Sequence, residues 1–146
     1  MSERKGKCLC GAVSYRLSVD PVLTRICWCR ACQYLGANGT VNVIVPTEAL
    51  EISGELSEFS RTADSGNQVR QRFCPRCGSH LFGNASARPQ FTVIRAGTLD
   101  DPSSVRPAMN IWTRSAPEWA CLDSGLECVE LQPSPPPGSG SNPARP

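Results

Sequence analysis

At 146 residues the chain has room for one ordinary domain, and with 40% hydrophobic and 19% charged residues its composition is globular, not that of a disordered or coiled-coil chain. A formal net charge of +2 gives no electrostatic bias toward a polyanionic partner. The N-terminal MSERKGKC lacks the apolar run of a signal peptide, and no stretch approaches the roughly 20 apolar residues of a membrane span. The expected location is therefore the cytoplasm. Reducing conditions there favour metal binding or catalysis over disulfides as the use of nine cysteines.

In chain order, GAVSYRLSV at 11–19 alternates Val13, Tyr15, Leu17 and Val19 with polar residues, the period-two pattern of a half-buried strand. CRACQYL leads into a predicted short helix from Arg30 to Leu35. Further strands are predicted in TVNVIV (40–45), LSEFSRT (56–62), QVRQRF (68–73), SHLFG (79–83), FTVIRA (91–96) and MNIWTR (109–114), all rich in β-branched and aromatic residues. Turns are predicted at PTEA (46–49), ADSGN (63–67), ASARPQ (85–90) and GTLDDPSS (97–104). The pair Asp100 and Asp101 before Pro102 reads as turn chemistry, not as paired catalytic carboxylates. The expected fold class is mainly β, an antiparallel sandwich or folded sheet in a single domain over residues 1–132. The tail PSPPPGSGSNPARP (133–146) is Pro/Gly/Ser-rich and is expected to be flexible or polyproline-like.

Seven of the cysteines fall into three groups, CLC (8–10), CWCRAC (27–32) and CPRC (74–77). In FCPRCG (73–78) a Pro after the first Cys and a Gly after the second allow the tight turn of a zinc knuckle and aim N–H groups at the sulfurs. A knuckle supplies two ligands, and a closed tetrahedral site needs two more. Cys8 and Cys10 qualify, because alternate residues of an extended chain point to one side. Cys29 and Cys32 qualify equally, with the spacing of a second knuckle. Spacing leaves both pairings open. If the first holds, Cys27, Cys29 and Cys32 remain as a three-ligand set with a free position, which is the arrangement of catalytic zinc, whereas closed sets of four are structural.

The order GKCLCGAVSY (6–15), CWCRACQ (27–33), FCPRCGSHLF (73–82), GTLDDP (97–102) and IWTRSAPEW (111–119) resembles the family of glutathione-dependent formaldehyde-activating enzymes and centromere protein V, over about residues 5 to 131. The resemblance implies a β-tent fold of antiparallel strands stabilised by two zinc ions per chain. Cys8, Cys10, Cys74 and Cys77 match the family's structural ligands, and Cys27, Cys29 and Cys32 match its catalytic ligands. The implied reaction is that of a carbon–sulfur lyase: addition of a small thiol such as glutathione to formaldehyde or another small aldehyde, giving a hemithioacetal. The chain departs from the family pattern at Trp28 and Asn110, where members commonly carry His.

Arg30, Gln33 and Trp28, beside the three-cysteine group, are the candidate substrate-binding residues. His80, the sole histidine, adjoins Leu81 and Phe82 and is expected to be structural. Cys121 and Cys128 are expected to be buried apolar-like thiols. A zinc-stabilised binding module without catalysis is the alternative reading. The near-neutral charge and the lack of a basic stretch with interleaved aromatics stand against nucleic acid as a partner.

Overall fold

The computed structural model describes residues 3–63 and 66–134, so most of the predicted tail, residues 135–146, lies outside the described residues. The protein is mainly β. A small sheet in the order β1 (Arg4–Lys7), β2 (Ser14–Leu17), β5 (Leu50–Ser53) lies in one layer. An eight-stranded sheet forms the other, with β11 (Glu127–Val129), β10 (Met109–Ile111), β3 (Leu23–Cys27), β4 (Thr40–Pro46), β9 (Phe91–Arg95), β8 (His80–Ala85), β7 (Gln68–Phe73) and β6 (Ser57–Thr62) in that order. The single α-helix among the described residues, α1 (Arg30–Gly36), follows β3 and ends at Ala37, a non-glycine residue in the left-handed region at φ 64°.

The alternation read in residues 11–19 has its expected consequence. Tyr15 and Leu17 of β2 point into the molecule, and Ser14 and Arg16 point out. They meet one face of the large sheet, where Val43, Val45, Ile94 and Phe82 are fully or almost fully buried. Tyr15 meets Phe82 edge-on with ring centroids 5.3 Å apart. This is the main core. The hydrophobic effect, at about 25 cal/mol per Å² of apolar area, drives the two sheets together there.

Residues directly opposite one another on paired strands share a face, so the register defines the other side of the large sheet. Arg25 of β3 lies opposite Asn42 of β4, and Asn42 lies opposite Arg95 of β9. The same row-by-row logic carries Ile44, Val93 and Gly83, and then Val69 and Arg61 at the β6 edge. All of these line one cleft. The sheet curls enough that Arg61 shares this cleft with Cys29, although five strand pairings separate β6 from β3.

Two expectations need correction. The large sheet is not wholly antiparallel, since β10 runs parallel to both β3 and β11. A strand that pairs with a partner some eighty residues earlier is not bound by the short-hairpin rule that makes neighbours antiparallel. Cys121 and Cys128 are exposed, not buried, because the chain's last segment adds only a three-residue strand at the sheet's edge. Asp101 does the turn work expected of it, accepting from the Ser103 N–H at 3.1 Å, whereas Asp100 forms an exposed ion pair with Lys7 Nζ of β1 at 3.2 Å.

Candidate metal centres and the adjoining cleft

The structure brings Cys8, Cys10, Cys74 and Cys77 together, with their four Sγ atoms within 4.8 Å of one another. The β1–β2 turn supplies the first pair and the β7–β8 turn the second, so the group joins the small sheet to the large one. Each pair is followed by a glycine at positive φ, Gly11 at 83° and Gly78 at 78°, a conformation in which a side chain would be strained. The Val13 and Arg76 N–H groups donate to Cys8 and Cys74 Sγ, each at 3.3 Å, and Ser79 Oγ lies 3.2 Å from Cys77 Sγ. The Ser79 side chain and backbone and a backbone contact near Cys10 lower the Cys77 thiol to about 5. Cys10 Sγ lies 3.7 Å from both Cys8 and Cys74 Sγ. Thiolates bound tetrahedrally to zinc at about 2.3 Å are spaced about 3.8 Å apart, so both of these spacings match a shared ion.

A second group holds Cys27, Cys29 and Cys32, whose sulfurs also lie within 4.8 Å of one another. Cys27 ends β3, Cys29 caps α1 and Cys32 sits in the helix's first turn. Cys29 Sγ accepts the Cys32 N–H at 3.4 Å. Hydrogen bonds from the Cys27 and Cys32 thiols, with the Arg61 charge adding to them, pull Cys29 down to about 2. The same contacts push Cys27 far above the ordinary thiol range. The knuckle at 74–77 is thus grouped with Cys8 and Cys10 and not with Cys29 and Cys32. Both groups have the donor chemistry to hold a metal ion, consistent with zinc.

The three-cysteine group opens on the cleft, which encloses about 180 Å³. Arg25, Arg61, Arg88 and Arg95 line it with Asn42, and no Asp, Glu or His does so among the described residues. Arg95 Nη1 donates to Asn42 Oδ1 at 2.6 Å. Burial lowers the pKa of Arg25 and of Arg95, though guanidinium remains charged at neutral pH. Trp112, half-buried with φ 57°, also lines the cleft and donates its indole N–H to Gln132 Oε1 at 2.9 Å.

None of the three residues expected to bind substrate lines this cleft. Arg30 donates to Gln33 Oε1 at 2.7 Å and stacks over exposed Tyr34. Gln33 donates to the Trp28 and Ser115 carbonyls at 2.7 and 3.0 Å, bracing the helix. Trp28 is buried and donates its indole N–H to Asn110 Oδ1 at 2.9 Å. The two positions that depart from the family pattern are therefore each other's hydrogen-bond partners. His80 is half-buried against Phe73, and burial, with Arg95 adding to it, lowers its pKa, so it is neutral at pH 7. The sequence reading passed over Arg25, Asn42, Arg88 and Arg95. The available signal was a charged residue within an otherwise apolar strand, LTRIC or FTVIR, where burial demands a partner.

A mainly β fold with one four-cysteine group and one three-cysteine group beside a cleft defines a class of protein with the donor sets to hold metal ions. The family described as "Glutathione-dependent formaldehyde-activating enzyme" matches residues 3–115, and the chain belongs to it. The fold is similar to that of a Rhodobacter sphaeroides protein solved as a structural genomics target, with a TM-score of 0.54 and 22% identity over 70% of this chain and 91% of the other. No curated protein matches the chain. Among the described residues, no helix is long and apolar enough to cross a membrane.

Proposed function

We propose that the protein adds a small thiol, glutathione or a relative, to formaldehyde or another small aldehyde, in a reducing compartment such as the cytoplasm. The observation that carries this reading is the asymmetry of the two cysteine groups. Four thiols close on one another where the two sheets join, with Cys8 and Cys74 buried, Cys77 half-buried and Cys10 exposed, whereas three adjoin a cleft with room for a ligand. On this reading Cys8, Cys10, Cys74 and Cys77 hold a structural zinc, and Cys27, Cys29 and Cys32 hold a second one. That second zinc would supply what the cleft's own residues lack, a Lewis acid that favours the thiolate of an incoming thiol and takes up charge from an aldehyde oxygen.

The reaction balances without a redox partner. The sulfur forms a bond to the carbonyl carbon, the C=O π pair moves to oxygen, and the proton given up by the thiol ends on that oxygen. The chain's contribution is orientation and electrostatics. Among the described residues no carboxylate or imidazole stands in the cleft to act as base, so its arginines and the Asn42 amide bear on the negative charge that develops. The aliphatic side chains of Ile44, Val93 and Ile111 limit water around the reacting atoms.

A second reading, a zinc-stabilised binding module, draws on the Trp28–Asn110 pair, which fills two positions of family departure with a buried contact and no proton-transfer group. Exchange NMR on formaldehyde and glutathione separates the two. The enzyme reading expects faster interconversion with the hemithioacetal than in buffer, and an unchanged rate favours the module.

A further inference from the structure

A three-stranded sheet cannot cover an eight-stranded one. The small sheet ends at β5, whereas the large sheet runs on through β8 and β7 to β6. Val45, fully buried in the main core, marks the inner face of the large sheet. The register carries that face from Val45 to Thr92, and from Asn84 to Arg70 and Ser60, with Asn84 hydrogen-bonded to Thr92 between the two stretches. These residues and half-buried Leu50 and Ile52 of β5 line one hollow of about 480 Å³. Protein interiors hold few voids larger than a water molecule, so a space of this size is a ligand-sized site and not a packing fault. It lies on the opposite face of the large sheet from the cysteine cleft, and the two share only the strand residues Val69, Asn84 and Ala85.

One end of the hollow is fixed by hydroxyl groups whose protons are all assigned. Thr47 Oγ1 donates to the Pro89 carbonyl at 2.9 Å, so in its 2.8 Å contact with Thr92 Oγ1 the Thr92 hydroxyl is the donor. Thr92, fully buried, accepts in turn from Asn84 Nδ2 at 2.9 Å. The other end is cationic. Arg70 and Arg72 line it and no carboxylate does, among the described residues. Glu58, which stands opposite Arg72 in the register, reaches Arg70 at 3.6 Å from outside the lining. Arg72 has no ion pair within hydrogen-bonding reach among the described residues, and its guanidinium lies over the buried Phe82 ring, 5.1 Å from the centroid. Two guanidiniums beside one carboxylate leave a single positive charge.

We infer that this hollow binds a small monocarboxylic acid with an apolar body, its carboxylate at Arg70 and Arg72 and its hydrocarbon part against Leu50, Ile52 and Pro89. The single net charge suits a carboxylate better than a phosphate dianion, and the planar fork of arginine pairs with carboxylate bidentately. The aliphatic side chains take the body of the acid out of water. The inference is independent of the thiol chemistry proposed above.

The test titrates hexanoate, with hexanamide as its neutral counterpart, into the full zinc-loaded, isotope-labelled chain and follows the backbone amides by NMR. Hexanoate should shift Leu50, Ile52 and Ser86 and leave Cys27 and Cys32 in place, and hexanamide should bind about tenfold more weakly. Glu58 is exposed, so Glu58→Gln should melt like the parent while tightening hexanoate about threefold, because it removes the carboxylate that competes for the arginines. Arg72→Gln should weaken hexanoate about tenfold. Exposed Ser60→Leu, which narrows the hollow without touching a charge, should weaken acid and amide alike, and it decides the matter even if Arg72→Gln does not fold. An absence of shifts in β5, shifts confined to the cysteine cleft, equal binding of acid and amide, or an unchanged affinity in Glu58→Gln would each overturn the site.

Discussion

Replacing Cys74 by Ser separates the two cysteine groups more sharply than any other single change. Cys74 is fully buried in the main core, and its Sγ accepts the Arg76 N–H and lies 3.7 Å from Cys10 Sγ. Structural zinc contributes about 10–16 kcal/mol to folding, so losing one of four ligands removes about 3–4 kcal/mol. The buried hydroxyl left behind costs about 1–3 kcal/mol more. The sum of about 4–7 kcal/mol rivals the whole stability of an ordinary domain. At roughly 3 °C per kcal/mol, the melting temperature should fall by at least about 12 °C, or the variant should not fold. Cys29→Ser is expected to behave differently. Cys29 packs in a small cluster with Cys27, Cys32 and Ile111, and Ser is itself a favoured helix cap that can accept the same Cys32 N–H. Its stability loss should stay below about 2 kcal/mol, while the zinc content falls from two per chain toward one. Circular dichroism melts with a chromogenic zinc assay measure both quantities. If Cys29→Ser melts as early as Cys74→Ser, the division into structural and open sites is wrong.

Trp28→Phe should cost about 1–3 kcal/mol in denaturant unfolding without changing zinc content, because Asn110 Oδ1 then loses the donor it has at 2.9 Å in a buried site. Pairing it with Asn110→Leu should recover part of that loss, and no recovery would mean that packing, not the hydrogen bond, holds the pair. Burial raises Tyr15 to about 12 against the opposing Thr98 hydrogen bond, so its contribution is complete below pH 10 and declines as pH rises toward 12. At about 1.4 kcal/mol per pH unit above pH 10, about 1.4 kcal/mol of stability should vanish by pH 11 in the parent but not in Tyr15→Phe, as unfolding at pH 8 and pH 11 would reveal.

Local pattern carries much of the fold. The strands of residues 40–46, 57–62, 68–73, 80–85 and 91–95 all lie where β-branched and aromatic runs place them, and α1 begins at the predicted Arg30. Four strands are not foreseen: LTRIC of β3 and LEIS of β5 carry apolar and β-branched residues but are only five and four residues long, and the other two fail that pattern for physical reasons. RKGK of β1 and ECV of β11 have little apolar surface and exist because a neighbour's backbone pairs with them. Nonlocal pairing also explains the parallel β10, which no hairpin signal announces. At the site, cysteine spacing makes the groups legible, because ligand geometry is imposed by the ion and repeats along the chain. The arginine row is not legible in that way. Arg25, Asn42 and Arg95 sit on three strands, and only sheet register brings them side by side. Trp28, nearest in sequence to the open cysteines, turns instead to Asn110, because the residue between two ligands need not face the ion.

Stepwise removal of zinc by a graded series of chelators, with the fold and the activity followed together, tests the central claim most directly. Protein purified without chelator should hold two zinc ions per chain. Mild chelation should take one, abolishing acceleration of hemithioacetal exchange while the β signal and the melting transition persist; stronger chelation should take the other and unfold the chain. A single zinc whose loss unfolds the protein, or two that leave together with the fold, would contradict an open catalytic site beside a closed structural one.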